Sequence, residues 1–306
     1  MKIAIAADIG GTAVKYAMID NEGGMRFKFI TPTMDNPSDF ISSFQASIDR
    51  LVRYAHENSL ELSGVGIGVP AVVEDGKINY VYNIPYLNQA LLEKAISSFG
   101  LPFSVENDAN LMGLGEAEFG AARGLSDVVF LTIGTGIGGA LILNGKPYGG
   151  YRNRGAELGH LIIHGTSGKS CSCGAKGCLE AHASTTALIN SYRCLLRASG
   201  KTAPASIDGK TIVQKYFEGE PEAQEAFADH FDNLALGVTS LINIFAPQEV
   251  LLGGGITESG EFYIEEIRKR VSKIVMKDTS VYTRIDRATL GNDAGCYGAA
   301  ALIFKA

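Results

Sequence analysis

The chain has no tryptophan, only five cysteines and no apolar run of membrane-spanning length. A spanning helix needs about 18 or more consecutive apolar residues, so an integral membrane protein is not expected. Positive charge is not in surplus either: 27 Lys and Arg against 33 Asp and Glu leave a net charge of −6. Broad nucleic-acid binding draws on clustered Lys and Arg, and the acidic balance argues against it. Hydrophobic residues make up 46% and charged ones 20%, too apolar a mixture for a disordered chain. No secretory leader is visible, because the apolar run at 3–7 stops at Asp8, short of the roughly 7–15 residues such a leader uses. A cytoplasmic protein is expected, and disulfides rarely persist there.

Glycine is what the chain has in excess, 37 of 306 residues against an average near 7%. The length favours two domains at about 100–200 residues each. Residues 2–31 read as strands around a Gly-Gly turn. A helix follows from Asn36 as N-cap, with Pro37 in its first turn. Phe40, Ile41, Phe44, Ile48, Leu51, Val52 and Ala55 keep helical spacing there. Residues 62–70 read as a strand and 87–100 as a helix stopped by Gly100. Residues 102–108 read as a strand entering a helix that runs to about Gly120. At 127–145 the opening pattern returns, a Gly-rich turn between two apolar β segments, which suggests internal duplication. Further helices are expected at 184–199, 220–246 and 262–275, a strand at 248–253, and a last helix from Asp293.

Three glycine clusters carry the first functional signal. ADIGGT (7–12) joins two strands, whereas a P-loop or dinucleotide fingerprint leads from a strand into a helix. Its backbone N–H groups can still approach a phosphate without an intervening Cβ. Thr12 adds a hydroxyl, Lys15 a charge, and Asp8 an oxygen ligand for a water-clad Mg²⁺. GTGIGGA (134–140) offers Thr135 and Gly136 to the other side of the phosphates. Gly254 and Gly255 in LGGGIT let a flat ring pack on main chain. An ordinary glycine hairpin capped by Asp would explain the first turn alone, but purely structural turns explain the three together poorly.

VENDAN (105–110) puts Asn107 and Asp108 where a strand yields to a helix, the place where open α/β sheets bind ligands. Phosphoryl transfer needs a group to take the hydroxyl proton and good positioning of the phosphates. Asp108 suits the first role and Asn107 can orient a sugar hydroxyl. Helix capping is the plain alternative for Asp108. Cys171, Cys173 and Cys178 lie within one short turn-rich loop, and with one histidine they make a tetrahedral zinc set. His160, His164 and His182 compete for the fourth position on spacing alone. Reduced free thiols or an open catalytic zinc are weaker alternatives. Cys194 and Cys296 are expected to be buried packing residues. Glu157 and Glu180 flank the loop and can accept from sugar hydroxyls; read as a glycosidase pair they would leave the glycine turns unexplained.

These motifs (ADIGGT, ENDAN, GTGIGGA, ELGH, CSCGAKGCLE and LGGGI) resemble, in this order and over the full length, the ROK family of sugar kinases and related repressors. The resemblance implies an actin-like ATPase fold, α/β throughout, with two RNase H-like domains around a central cleft. The domains would be 1–115 with the last helix 293–306, and 116–292 with a zinc-binding loop at 160–178. It implies Asp108 as general base, with Asn107, Asp108, Glu157, His160 and Glu180 at the sugar. It implies Asp8 near Mg²⁺, Gly10, Gly11, Thr12, Thr135 and Gly136 at the phosphates of ATP, and Gly254 and Gly255 at adenosine. His160, Cys171, Cys173 and Cys178 match its structural zinc ligands, which selects His160. A homodimer is the family expectation.

The chain departs from the family pattern in places. Ala71 stands where many members carry glycine, and Ala140 replaces a third glycine of the second turn. The segment YNIPYLN (82–88), Asn83 included, should touch the sugar, yet differs from the Asn-Leu-x-Trp type of glucokinases. The expected activity is ATP-dependent phosphorylation of a hexose or hexose derivative, on the 6-hydroxyl. Glucose, fructose, mannose, N-acetylmannosamine and β-glucosides all fit. The alternatives are a repressor, for which the first phosphate turn leaves no upstream room, and a sugar-binding regulatory member without kinase activity.

Overall fold

The computed structural model describes residues 1–81 and 84–305, less the side chains of Tyr80 and Ser280. It opens with β1 (Lys2–Ile9), β2 (Ala13–Asp20) and β3 (Met25–Pro32), a meander of apolar, β-branched and aromatic residues. Helix α1 (Pro37–Glu57) follows, and the Asn36 side chain accepts from Asp39 N, satisfying one of the amides a helix start leaves open. It buries Phe40, Phe44, Ile48 and Leu51 on the sheet. Next come β4 (Glu61–Val69), a small hairpin of β5 (Ala71–Glu74) and β6 (Lys77–Val81), α2 (Gln89–Ile96), β7 (Phe103–Asn107) and α3 (Asp108–Phe119). A short 3₁₀ turn extends α2 to Gly100, whose φ of 62° ends it.

The second half begins with β8 (Val128–Ile133), β9 (Ile137–Leu143) and β10 (Lys146–Pro147). Helices α4 (Leu179–Ala183), α5 (Thr185–Ala198), α6 (Gly209–Phe217) and α7 (Pro221–Phe245) follow. Then come β11 (Glu249–Gly253), α8 (Glu261–Ile274), α9 (Lys277–Ser280), β12 (Arg284–Arg287) and α10 (Ala294–Lys305). The strand orders are β3-β2-β1-β4-β7 and β10-β9-β8-β11-β12. In each sheet the first three strands run antiparallel and the last two join parallel. The duplication expected from the two glycine turns is therefore present in topology and strand direction.

Each sheet is covered on both faces. α1 and α2 cover one face of the first sheet, and α5, α7 and α8 help cover one face of the second. α3 and α10 pack between the two sheets. They cross closely because glycines sit at the contact: a Cβ on Gly298 would lie 1.8 Å from the Leu111 carbonyl oxygen. The buried Glu116 carboxylate on α3 accepts from Ala121 N (2.9 Å) and Leu290 N (2.8 Å), tying both chain crossings between the halves to one helix. The expected division at 115/116 falls inside α3. Among the described residues no helix is long and apolar enough to cross a membrane.

One reading of the sequence needs correction. Cys194 is exposed, not buried, although Cys296 is buried as expected. The large buried side chains of α5 are Leu188, Tyr192 and Leu196, with Ala187 buried in its first turn, and at 100° per residue position 194 points away from the three large ones. The hairpin β5–β6, the short helices α4 and α6, and strand β12 were not legible as elements.

Candidate active site

The first glycine turn links β1 to β2, with Gly10 N donating to Ala13 O (2.9 Å) and Thr33 Oγ1 to Gly10 O (2.7 Å). Gly11 and Thr12 are exposed at its tip. Asp8 is the last but one residue of β1, opposite Gly68, and is only 6% exposed. Lys15 reaches it from β2, with Nζ 3.2 Å from Asp8 Oδ2 and 2.9 Å from Asn292 O. A buried carboxylate with one cation beside it is a stable arrangement where an unpaired one would not be.

The second turn links β8 to β9. Glu180 braces it: Ile137 N donates to Glu180 Oε2 at 3.0 Å, and a Cβ on Gly136 would meet that oxygen at 2.2 Å. The turn and the first residues of β9 border two cavities. One, about 600 Å³, is lined by Gly134, Thr135, Thr185, Lys210, Gly255 and Glu258, with Ile189, Val213 and Ile256 as apolar walls. Gly254 does not line it; with φ of 98° it packs on the backbone of Ile133. The sequence reading missed the contributions of α5 and α6 to this cavity, because α6 was not legible and its walls are ordinary aliphatic residues.

The other cavity, about 680 Å³, brings Asn107, Asp108, Glu157, His160 and Glu180 together with Ala71, Asn153, Arg154, Gly138 and Gly139. All the predicted sugar residues meet there except Asn83, which lies outside the described residues. Ala71 is not among the positive-φ residues, so its methyl group brings no backbone strain. The helix cap at this point is Asn107, whose Oδ1 accepts from Ala109 N (3.0 Å) and Asn110 N (3.1 Å). Asp108 is the first residue of α3, accepts from Ala109 N at 2.9 Å and faces the cavity. Desolvation by the surrounding protein raises its pKa from 3.8 to about 6. The charges of Asp8 and Glu157 push the same way, against the Ala109 amide. A carboxylate raised by burial and by neighbouring carboxylates in a cleft is a candidate functional group.

Beside this cavity the ligand atoms of His160, Cys171, Cys173 and Cys178 lie within 4.8 Å of one another. Cys173 Sγ is 3.7 Å from Cys178 Sγ, and Cys171 Sγ is 3.6 Å from His160 Nδ1. A zinc tetrahedron with S and N arms of about 2.3 and 2.0–2.1 Å has edges of roughly 3.5–3.8 Å, so the four donors fit that ion. The rival histidines are engaged elsewhere. His164 Nε2 is 2.6 Å from Asn233 Oδ1, and His182 Nε2 accepts from Lys169 N at 3.0 Å. With Nδ1 turned to the sulfurs, His160 keeps Nε2 for the cavity.

Two sheets of one topology, helices between them, and a glycine segment from turn into strand that borders two cavities define an actin-like ATPase fold. The chain belongs to the ROK family, which matches residues 4–306. It is 31% identical over 315 residues to a glucokinase of Streptomyces coelicolor, covering 99% of this chain and 98% of that one. Among solved structures it is similar to a ROK family glucokinase from Streptomyces griseus in complex with glucose and AMPPNP. That match has a TM-score of 0.83 and 29% identity, and covers 99% of this chain and 100% of that one. It is also 26% identical over 302 residues to the xylose repressor of Bacillus subtilis, covering 98% of this chain and 76% of the repressor.

Proposed function

We propose that the chain is an ATP-dependent sugar kinase that phosphorylates a hexose or hexose-derived acceptor, on its 6-hydroxyl, with Asp108 as general base. The observation that carries this reading is the glycine segment 134–139: its turn residues Gly134 and Thr135 border a cavity with apolar walls, and Gly138 and Gly139 at the start of β9 border a cavity holding Asp108 among sugar-type acceptors and donors. The first fits a nucleotide, its base between Ile189, Val213 and Ile256. The second fits a polyhydroxylated acceptor, held by Asn107, Glu157, His160 and Glu180 through charge-assisted hydrogen bonds. The phosphates would lie between the turns at 10–12 and 134–136, where backbone N–H groups and the Lys15 ammonium stabilise negative charge developing in transfer.

Asp108 takes the acceptor proton as the hydroxyl attacks. Magnesium carried with the nucleotide would neutralise phosphate charge, with Asp8 the residue to hold it through water. Zinc would close the His160, Cys171, Cys173, Cys178 tetrahedron and order the loop at 160–178, so that His160 and Glu180 are fixed toward the acceptor. Relative motion of the two sheet-bearing lobes, 1–115 with 293–306 and 116–292, would shut water out of the cleft. The S. griseus complex with glucose and AMPPNP supports the pairing of substrates. The same reading has the protein acting in the cytoplasm as a homodimer, without nucleic acid.

The test is ADP release with ATP, Mg²⁺ and a panel of hexoses, N-acetylhexosamines and β-glucosides. Turnover on one acceptor, reduced about 10²–10⁴-fold in Asp108→Asn with acceptor binding retained, is expected. Silence across the panel, with heat stabilisation by one sugar, overturns the kinase reading in favour of a sugar-sensing member. The repressor relative makes that a concrete alternative.

A further inference from the structure

Between β10 and Glu157 the chain does something costly. Arg152 and Asn153, neither of them glycine, both take φ of 55°, and Ala156 takes 62°. Left-handed conformations cost L-residues about 1–2 kcal/mol each, and persist where the surroundings over-determine them. Here the surroundings belong to the other half of the molecule. The Arg152 guanidinium pairs with Glu74 at the end of β5. Asn153 Nδ2 donates to Val73 O at 2.7 Å and to Glu106 Oε1 at 3.1 Å. Its Oδ1 lies 1.5 Å from where a Cβ on Gly149 would stand, so Gly149 is the residue that admits the carboxamide.

Glu106 is a hub. The same Oε1 accepts from Asn107 N at 2.8 Å and from Asn110 Nδ2 at 3.1 Å. Asn107 in turn donates to Ala71 O at 3.2 Å and caps α3, whose first residue is Asp108. A continuous chain of hydrogen bonds thus runs from the strained segment through Glu106 to the residues on either side of Asp108. Both amide hydrogens of Asn153 are spent on this chain, which leaves none for an acceptor sugar.

We propose that Asn153 and Glu106 are positioning residues: the strap at 149–156 crosses from the second half to the first and sets Asp108 against the acceptor. This rests on the kinase reading above. The strain is held in place by the contact across the cleft, and the contact holds the catalytic segment. A purely local role for Asn153 would be to fill a left-handed turn position, and glycine fills that at least as well.

Asn153→Gly separates the two, since it keeps the turn and deletes only the carboxamide. The expected result is a kcat fall of about 10–100-fold, the scale of a small misplacement. A raised KM for the acceptor and an ATP KM changed less than about twofold should accompany it. Glu106→Ala should fall similarly, and Glu106→Gln, which restores an acceptor oxygen, should recover most of the loss. The double variant Asn153→Gly with Glu106→Ala should be no worse than the poorer single one, as for residues acting as a unit. Heat stabilisation by the acceptor sugar, which needs no turnover, should weaken in Asn153→Gly while stabilisation by ATP persists. Wild-type kcat, acceptor KM and sugar stabilisation in Asn153→Gly, or losses that add in the double variant, would overturn the proposal. A wild-type chain that binds sugar but transfers no phosphate instead overturns the kinase reading, and the stabilisation measurement then still decides the strap.

Discussion

Asp108 has a proton affinity lifted by its own surroundings, and that has two measurable faces. With a pKa raised to about 6 by desolvation and by the charges of Asp8 and Glu157, the ionised form needed to accept a proton is lost as pH falls through that value. The acceptor kcat/KM of the free enzyme should therefore drop about tenfold per pH unit well below 6 and level out above it; a limb near pH 4 would refute the assignment. The second face is stability. A carboxylate whose folded pKa lies above its unfolded one favours folding at acid pH, and that contribution disappears as pH rises through about 6. At pH 7–8 the charged Asp108 is consequently a burden of about 3 kcal/mol. Asp108→Asn, which carries no charge, should melt a few degrees higher at pH 7.5, with the gap closing toward pH 4. A variant that is nearly inactive yet more heat-stable is the signature expected; a lower melting point at pH 7.5 would count against it.

At the scale of elements the cysteine-rich loop is the part that, with zinc bound as proposed, would depend most on something outside the sequence. Residues 160–178 hold only two isolated β-bridges, Ile162 to Cys178 and Ser170 to Lys176. A structural zinc contributes binding energy of order 10 kcal/mol in small zinc domains. Elemental analysis should find one zinc per chain. Its removal by a chelator, or Cys178→Ala, should raise the acceptor KM strongly, because Glu180 and His160 lose their frame, while ATP binding changes little. Equal loss at both substrates would mean that the loop supports the whole lobe. Legibility also sorted by element. Strands β1, β2, β8 and β9 were readable because long apolar runs meet at glycine turns, and α1 because Asn36 and Pro37 announce it. Helix α6 was not, since it buries only Ile212 and opens with Gly-Lys. β12, RIDR, carries three charged residues in four and is recognisable as a strand only through its pairing with β11. The residues that line the Asp108 cavity were legible one by one, while the strap was not. Its signal is a conformation at Arg152 and Asn153 that their side chains do not advertise.

The whole molecule is held together along a seam, and the seam tolerates little added volume. α3 and α10 lie between the sheets with Gly115, Gly298 and Ala300 among their contacts. Gly298→Val would drive methyl groups into the Leu111 carbonyl, and overpacking of this kind costs about 1–3 kcal/mol, occasionally more. A matching fall in denaturation midpoint, together with weakened turnover, is expected. An unchanged midpoint would show that the helices slide apart without penalty. The same seam bears on how the protein is made. α10 supplies buried alanines to the inner face of the first sheet, against Ala4, Ala6 and Ala17, yet it follows every element of the second sheet in chain order. Chains are synthesised at about 5–20 residues per second and domains tend to fold as units from the N-terminus. The first sheet, though born first, must wait through the synthesis of the entire second half with one apolar face uncovered. During that interval the nascent protein is most open to aggregation and to chaperones, and translation stopped just short of α10 would leave it there permanently.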